Sequence, residues 1–88
     1  MKHKRKFDVV DALASTTRWE IVETLIGMGP SPVGHIAKDL GMSLSAISHQ
    51  LIILKQADIV SFKKDGTTMI YQIAKSDAGK MARKIMRV

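Results

Sequence analysis

Apolar residues recur at three- and four-residue intervals through most of this chain and give way to alternation once, near residue 60. Phe7, Val10 and Leu13 or Ala14 predict a short first helix over residues 7–14. Over residues 17–28, Trp19, Val22 and Ile26 form one row and Ile21, Leu25 and Met28 a second, so this helix is expected at the centre of a small core. Thr17 with Glu20 matches a capping box at its start, and Gly27, Gly29 and Pro30 end it. Trp19 reads as a core or dimer contact, because no aromatic neighbours it as base stacking would want. Ser31 then suits an N-cap, with Pro32 at the first helical position of a helix over residues 32–40, where its missing N–H costs nothing. Val33, Ile36, Ala37 and Leu40 face inward and His35 outward. Gly41 supplies the left-handed residue that ends this helix, and Ser43 the oxygen that caps the next, over residues 44–57.

The alternating stretch covers residues 59–73. Val60 and Phe62 alternate with Ser61 and Lys63, Asp65-Gly66 fits a type I′ turn, and Thr67 to Tyr71 are residues favoured in strands. With those two residues as the loop, Lys64 faces Thr67, Phe62 faces Met69 and Val60 faces Tyr71. A last helix over residues 76–87 starts at Ser76 or Asp77. It carries the stripe Ala78, Met81, Ala82, Ile85 and Met86 beside Lys80, Arg83, Lys84 and Arg87. Such a stripe suits a partner or a second copy, or a membrane surface, although it has no aromatic.

A short helix, a turn carrying Gly and a second helix have the spacing of a helix-turn-helix, whose second helix enters the DNA major groove. In that second helix Ile47, Leu51 and Leu54 are the anchor to the core. The other side carries Ser45, Ala46, Ser48, His49 and Ile52, with Gln50 beside them. Hydroxyls, a methyl, an imidazole and an amide reach base edges, and the face lacks the Glu and Lys of a solvated helix until Lys55. The hairpin tip adds Lys63, Lys64, Thr67 and Thr68, able to contact phosphate and equally able to keep an exposed hairpin soluble.

Charge supports this direction. The net charge is +6, with Lys2, Lys4, Arg5 and Lys6 at one end and Lys80, Arg83, Lys84 and Arg87 at the other, a balance that attracts polyanions. Residues 1–6 read as a basic flexible N-terminus, a solvated end or an arm to DNA, and residues 7–88 as one domain. With 88 residues the core is modest, and without cysteine neither disulfides nor thiolate metal sites support it, which leaves oligomerisation. No apolar run approaches the roughly 18 residues of a spanning helix, no signal peptide is expected, and the absence of cysteine fits the cytoplasm. An enzyme is not expected. There is no Gly-rich phosphate loop and no cluster of His with carboxylates, and Ser48 and His49 are adjacent on a helix, so they point about 100° apart.

Helix, helix, helix-turn-helix, hairpin, helix is the order of a winged helix-turn-helix, an α+β class that is mainly α. Residues 12–18 (ALASTTR), 21–25 (IVETL), 36–41 (IAKDLG) and 48–54 (SHQLIIL), with Asp65-Gly66 and Tyr71, resemble the ArsR/SmtB family of prokaryotic repressors. The resemblance implies a homodimeric, sequence-specific regulator of double-stranded DNA, with a C-terminal dimerisation helix and reading helices in successive major grooves. It places Ser43, Ser45, Ala46, Ser48, His49 and Gln50 at the bases. Lys55, Lys63, Lys64, Thr67 and Thr68 fall at phosphates and the minor-groove edge. Phe7, Val10, Ala14, Ala78, Met81, Ala82, Ile85 and Met86 fall at the two-fold interface. Two departures qualify it. Metal-sensing members carry cysteines near the start of the third helix or His and carboxylates on the last. Here residues 32–36 have no thiolate and residues 76–88 no His and only Asp77, so no metal and no cofactor is expected. Ile52-Ile53 stand where members commonly carry a basic residue. The alternatives are a winged-helix module that docks on protein and a nonspecific DNA-coating protein.

Overall fold

The computed structural model describes the backbone of residues 2–87 and the side chains of residues 8–87. Along the chain the elements are α1 (Lys2–Leu13), α2 (Thr16–Met28), β1 (Ser31–Pro32), α3 (Val33–Leu40), α4 (Leu44–Gln56), β2 (Val60–Asp65), β3 (Thr68–Ile73) and α5 (Asp77–Met86). The mainly helical α+β class is the one expected. α1 begins ahead of residue 7, and the side chains of residues 2–7, Phe7 among them, lie outside the described residues.

The expected apolar rows converge on one core. Ile21, Val22 and Leu25 of α2, Ile36 of α3 and Ile47, Leu51 and Leu54 of α4 are buried together with Val9, Ile59 and Val60. Each such side chain contributes about 1.5–3 kcal/mol by leaving water, so the triplet on α4 is enough to hold that helix against α2 and α3. Trp19 and Met28 are not part of this core, both being exposed on α2, and on α1 it is Val9 that is buried while Val10 is exposed.

Four local expectations need correction. The cap of α2 is Ser15, whose hydroxyl accepts from the Arg18 amide at 3.3 Å, so Thr17 lies inside the helix rather than at its cap. Ser31 and Pro32 form a strand, not the start of α3. The buried Ser31 hydroxyl donates to the Gly29 carbonyl at 2.8 Å, and α3 begins without a side-chain cap bond. Pro32 is tolerated because β1 is an edge strand, in the sheet order β1-β3-β2. The hairpin loop is Gly66-Thr67, since Asp65 pairs with Thr68. Gly66 has φ +66° and Thr67 is not in the left-handed region, which fits a type II′ turn rather than I′. Val60 therefore faces Ile73 and Phe62 faces Tyr71. That is a slip of two, so every side chain keeps its expected face.

The fourth correction concerns α5. Ala78 and Ala82, expected at a dimer interface, are 2% and 0% exposed and belong to the protomer's own core. Ser76 caps this helix, accepting from the Gly79 amide at 3.0 Å, and its hydroxyl also donates to the Asp58 carbonyl at 2.6 Å. Asp58 is the one non-glycine residue with positive φ among the described residues, at +63°. It closes α4 in a Schellman arrangement, with Ile59 N–H on the Leu54 carbonyl at 3.0 Å and Asp58 N–H on the Lys55 carbonyl at 2.9 Å. A β-branched side chain tolerates that conformation poorly. Asp58→Val should lower unfolding stability by about 1–2 kcal/mol while Asp58→Gly does not lower it. Urea denaturation of the two variants checks this, and equal midpoints would count against it.

Candidate nucleic-acid interface

α4 owes its outward face to its anchor. With Ile47, Leu51 and Leu54 turned into the core, the helical period puts Ser45, His49, Ile52 and Gln56 outward, and all four are exposed. Leu44 and Ile52 are 57% and 52% exposed, apolar groups of the kind that meet a thymine methyl in the major groove. Leu44 is an addition to the expected face, because an exposed leucine in the first turn has no sequence signature separating it from a core residue. Ser43 is exposed, but its hydroxyl is used as the cap, accepting from the Ala46 amide at 3.2 Å, and it lies 3.5 Å from the Ser45 hydroxyl. Ala46 and Ser48 are half-buried on the flanks of the face.

Gln50 is also on a flank, and it is committed elsewhere. Its Oε1 accepts from Arg18 Nη1 at 3.0 Å, and Arg18 Nε donates to the Ala12 carbonyl at 2.7 Å. A glutamine reads adenine with its oxygen and its NH2 together, and here Arg18 already holds one of the two lone pairs of that oxygen and fixes the orientation of the amide.

The hairpin approaches the helix through Lys55, whose Nζ stands 5.4 Å from the centroid of the Phe62 ring. Phe62 in turn packs on Tyr71, centroids 5.4 Å apart and tilted by 43°, a contact made by the observed register. Burial raises the Tyr71 hydroxyl above its usual 10.0. Lys63, Lys64, Thr67 and Thr68 are all exposed around the loop. The expected helix face and hairpin tip are thus joined by a lysine held against an aromatic pair, with Lys63 and Lys64 further out.

Of the residues expected at a dimer interface, Val10 is 57% exposed and Ala14 is exposed, while Met81, Ile85 and Met86 are half-buried against the core. α1 and α5 pack against each other, so these side chains share one end of the molecule. Among the described residues no group of three or more His, Asp or Glu could hold a metal ion, and no helix is long and apolar enough to cross a membrane.

The family model for "Bacterial regulatory protein, arsR family" matches residues 15–61, which span α2 to the start of the hairpin. The chain belongs to the arsR family. Relatives match it over three quarters or more of its length. It is 33% identical over 87 residues to the HTH-type transcriptional regulator Rv0081 of Mycobacterium tuberculosis, covering 96% of this chain and 76% of that one. The crystal structure of that protein superposes with a TM-score of 0.77 at 34% identity, over 97% of this chain and 88% of the other. The transcriptional repressor SdpR of Bacillus subtilis is 36% identical over 66 residues, 75% of this chain and 72% of its own. The homodimeric winged helix-turn-helix DNA-binding domain Mb0332 of Mycobacterium bovis superposes with a TM-score of 0.84 at 30% identity, over 94% of this chain and 76% of that one. This arsR-family chain is therefore a winged helix-turn-helix transcriptional regulator, and α4 is the second helix of its helix-turn-helix.

Proposed function

We propose that the protein is a homodimeric, cytoplasmic repressor that binds an operator of two-fold symmetry, with one α4 in each of two major grooves. The observation that carries this is the face of α4, which is exposed, small and free of carboxylates from Ser45 to Ile52. Ser45, Ser48 and His49 read base edges, Ala46, Leu44 and Ile52 lie against apolar groove surface, and Ser43 lies at the helix N-terminus beside the backbone. Lys55, Lys63, Lys64, Thr67 and Thr68 hold phosphates and the edge of the minor groove. Val10 of α1 and Ala14 just after that helix, with Met81, Ile85 and Met86 of α5, meet a second copy. Mb0332 supports the dimer and SdpR the repression, since their names state those properties.

Selection of bound duplexes from a random pool tests this reading. It should return two symmetric half-sites about one helical turn apart, or a multiple of it. A chain with no preference over random DNA at about 0.15 M salt would not be a sequence-specific regulator. The hairpin makes a separate prediction. Joint Lys63→Ala and Lys64→Ala substitution should weaken all duplexes alike and reduce the slope of log affinity against log salt by up to about 2, measured by fluorescence anisotropy across a salt series. A loss confined to the operator would assign these lysines to base reading instead.

A further inference from the structure

We propose that Arg18 is a positioning residue: through Gln50 it fixes the angle of the reading helix to α1, and so the half-site spacing that the dimer accepts. The inference rests on the dimeric reading above and concerns a residue that itself touches no base. Arg18 lies in the first turn of α2 and bonds to two other helices. Its Nε donates to the Ala12 carbonyl at 2.7 Å, in the last turn of α1. Carbonyls there have no partner within their own helix, so the bond satisfies an otherwise open acceptor. Its Nη1 donates to Gln50 Oε1 at 3.0 Å, in the middle of α4. Its own amide is held by the Ser15 cap at 3.3 Å.

A guanidinium is planar and offers its donors in a fixed fork, so two bonds from one group constrain where both acceptors lie. It has no acceptor of its own, so the atom it faces on Gln50 must be the carbonyl oxygen. Arg18 and Gln50 are both half-buried, which limits competition from water. The chain from Ala12 through Arg18 to Gln50 therefore runs from the helix that carries the exposed Val10 to the helix that carries the exposed Ser45 and His49. In a two-fold dimer the geometry between those two helices is doubled by symmetry and sets the distance between reading faces.

The test uses the full chain and a series of duplexes carrying the selected half-sites at separations changed one base pair at a time. Wild type should prefer its selected spacing over its neighbours by about tenfold or more. Gln50→Glu keeps an acceptor for Arg18 and should retain that ratio. Arg18→Met and Gln50→Leu should each flatten it to about threefold or less, with affinity for an isolated half-site changed by no more than about threefold. A purely structural role would lower the melting temperature and leave the ratio intact. Gln50→Leu keeps the Arg18 bond to Ala12, so it carries the test if Arg18→Met fails to fold. A ratio unchanged in Gln50→Leu overturns the proposal, as does a half-site affinity that falls as far as the ratio does. A wild-type chain with no spacing preference overturns the dimeric reading first, and the role of Arg18 with it.

Discussion

Gly79→Ala should be the most damaging single-methyl change in this protein, with a loss of about 3 kcal/mol or more in unfolding free energy. A Cβ at that position would stand 2.0 Å from the Ala74 carbonyl oxygen and 2.8 Å from its carbon. Both are backbone atoms, so no side-chain rotation can relieve the overlap, and α5 would have to lift from the end of β3. Lifting it would uncover Ala78 and Ala82, which are buried because the helix sits so close. Gly34 is the matched control. It lies exposed in α3 with nothing within 4 Å of its missing Cβ. Gly34→Ala should therefore gain about 0.5–1 kcal/mol from lost chain entropy in the unfolded state. Urea unfolding of the two variants side by side separates a steric cause from a general effect of adding a methyl. Equal midpoints would show that α5 has room to move.

Joint Ser45→Glu and His49→Glu substitution should lower operator affinity by roughly two to four orders of magnitude, since each good base contact contributes about 1–3 kcal/mol of discrimination. Carboxylates at these sites also bring negative charge toward the phosphates. Both residues are exposed on the outer face of α4, away from Ile47, Leu51 and Leu54, so the unfolding midpoint should stay where it is. Anisotropy titration with the selected duplex checks the first half and thermal melting the second. Tight binding by the folded double variant would mean that α4 is not the reader.

Elements whose signals are local are legible in the amino-acid sequence. Gly41 in the left-handed region at φ +63°, Ser43 as the α4 cap and the buried triplet on α4 all follow from residues within one or two helical turns of each other. Ser31-Pro32 does not, because the pair satisfies the rules for a helix start and for an edge strand alike. What decides is its pairing with Tyr71 and Ile70, far along the chain. The hairpin loop is ambiguous for a similar reason: Asp65-Gly66 and Gly66-Thr67 each make a short turn. The observed choice is the one that sets Val60 opposite Ile73, both in the core. On α5 the apolar stripe is visible, but the pattern cannot say which surface a stripe meets, and Gly79 lets part of it close on the protomer itself. The bond from Arg18 to Gln50 has no local signal, since the two residues are 32 positions apart.

The sheet order has a practical consequence. β3 is paired on both sides, which leaves β2 with one unpaired row of backbone donors and acceptors. An open strand edge is a template for pairing with other chains, and lysines along it are a common safeguard against aggregation. Lys63 and Lys64 occupy that edge strand. The two residues proposed to hold phosphates therefore also place positive charge along the open edge, and a variant stripped of both charges should be checked for sedimentation before its binding is measured.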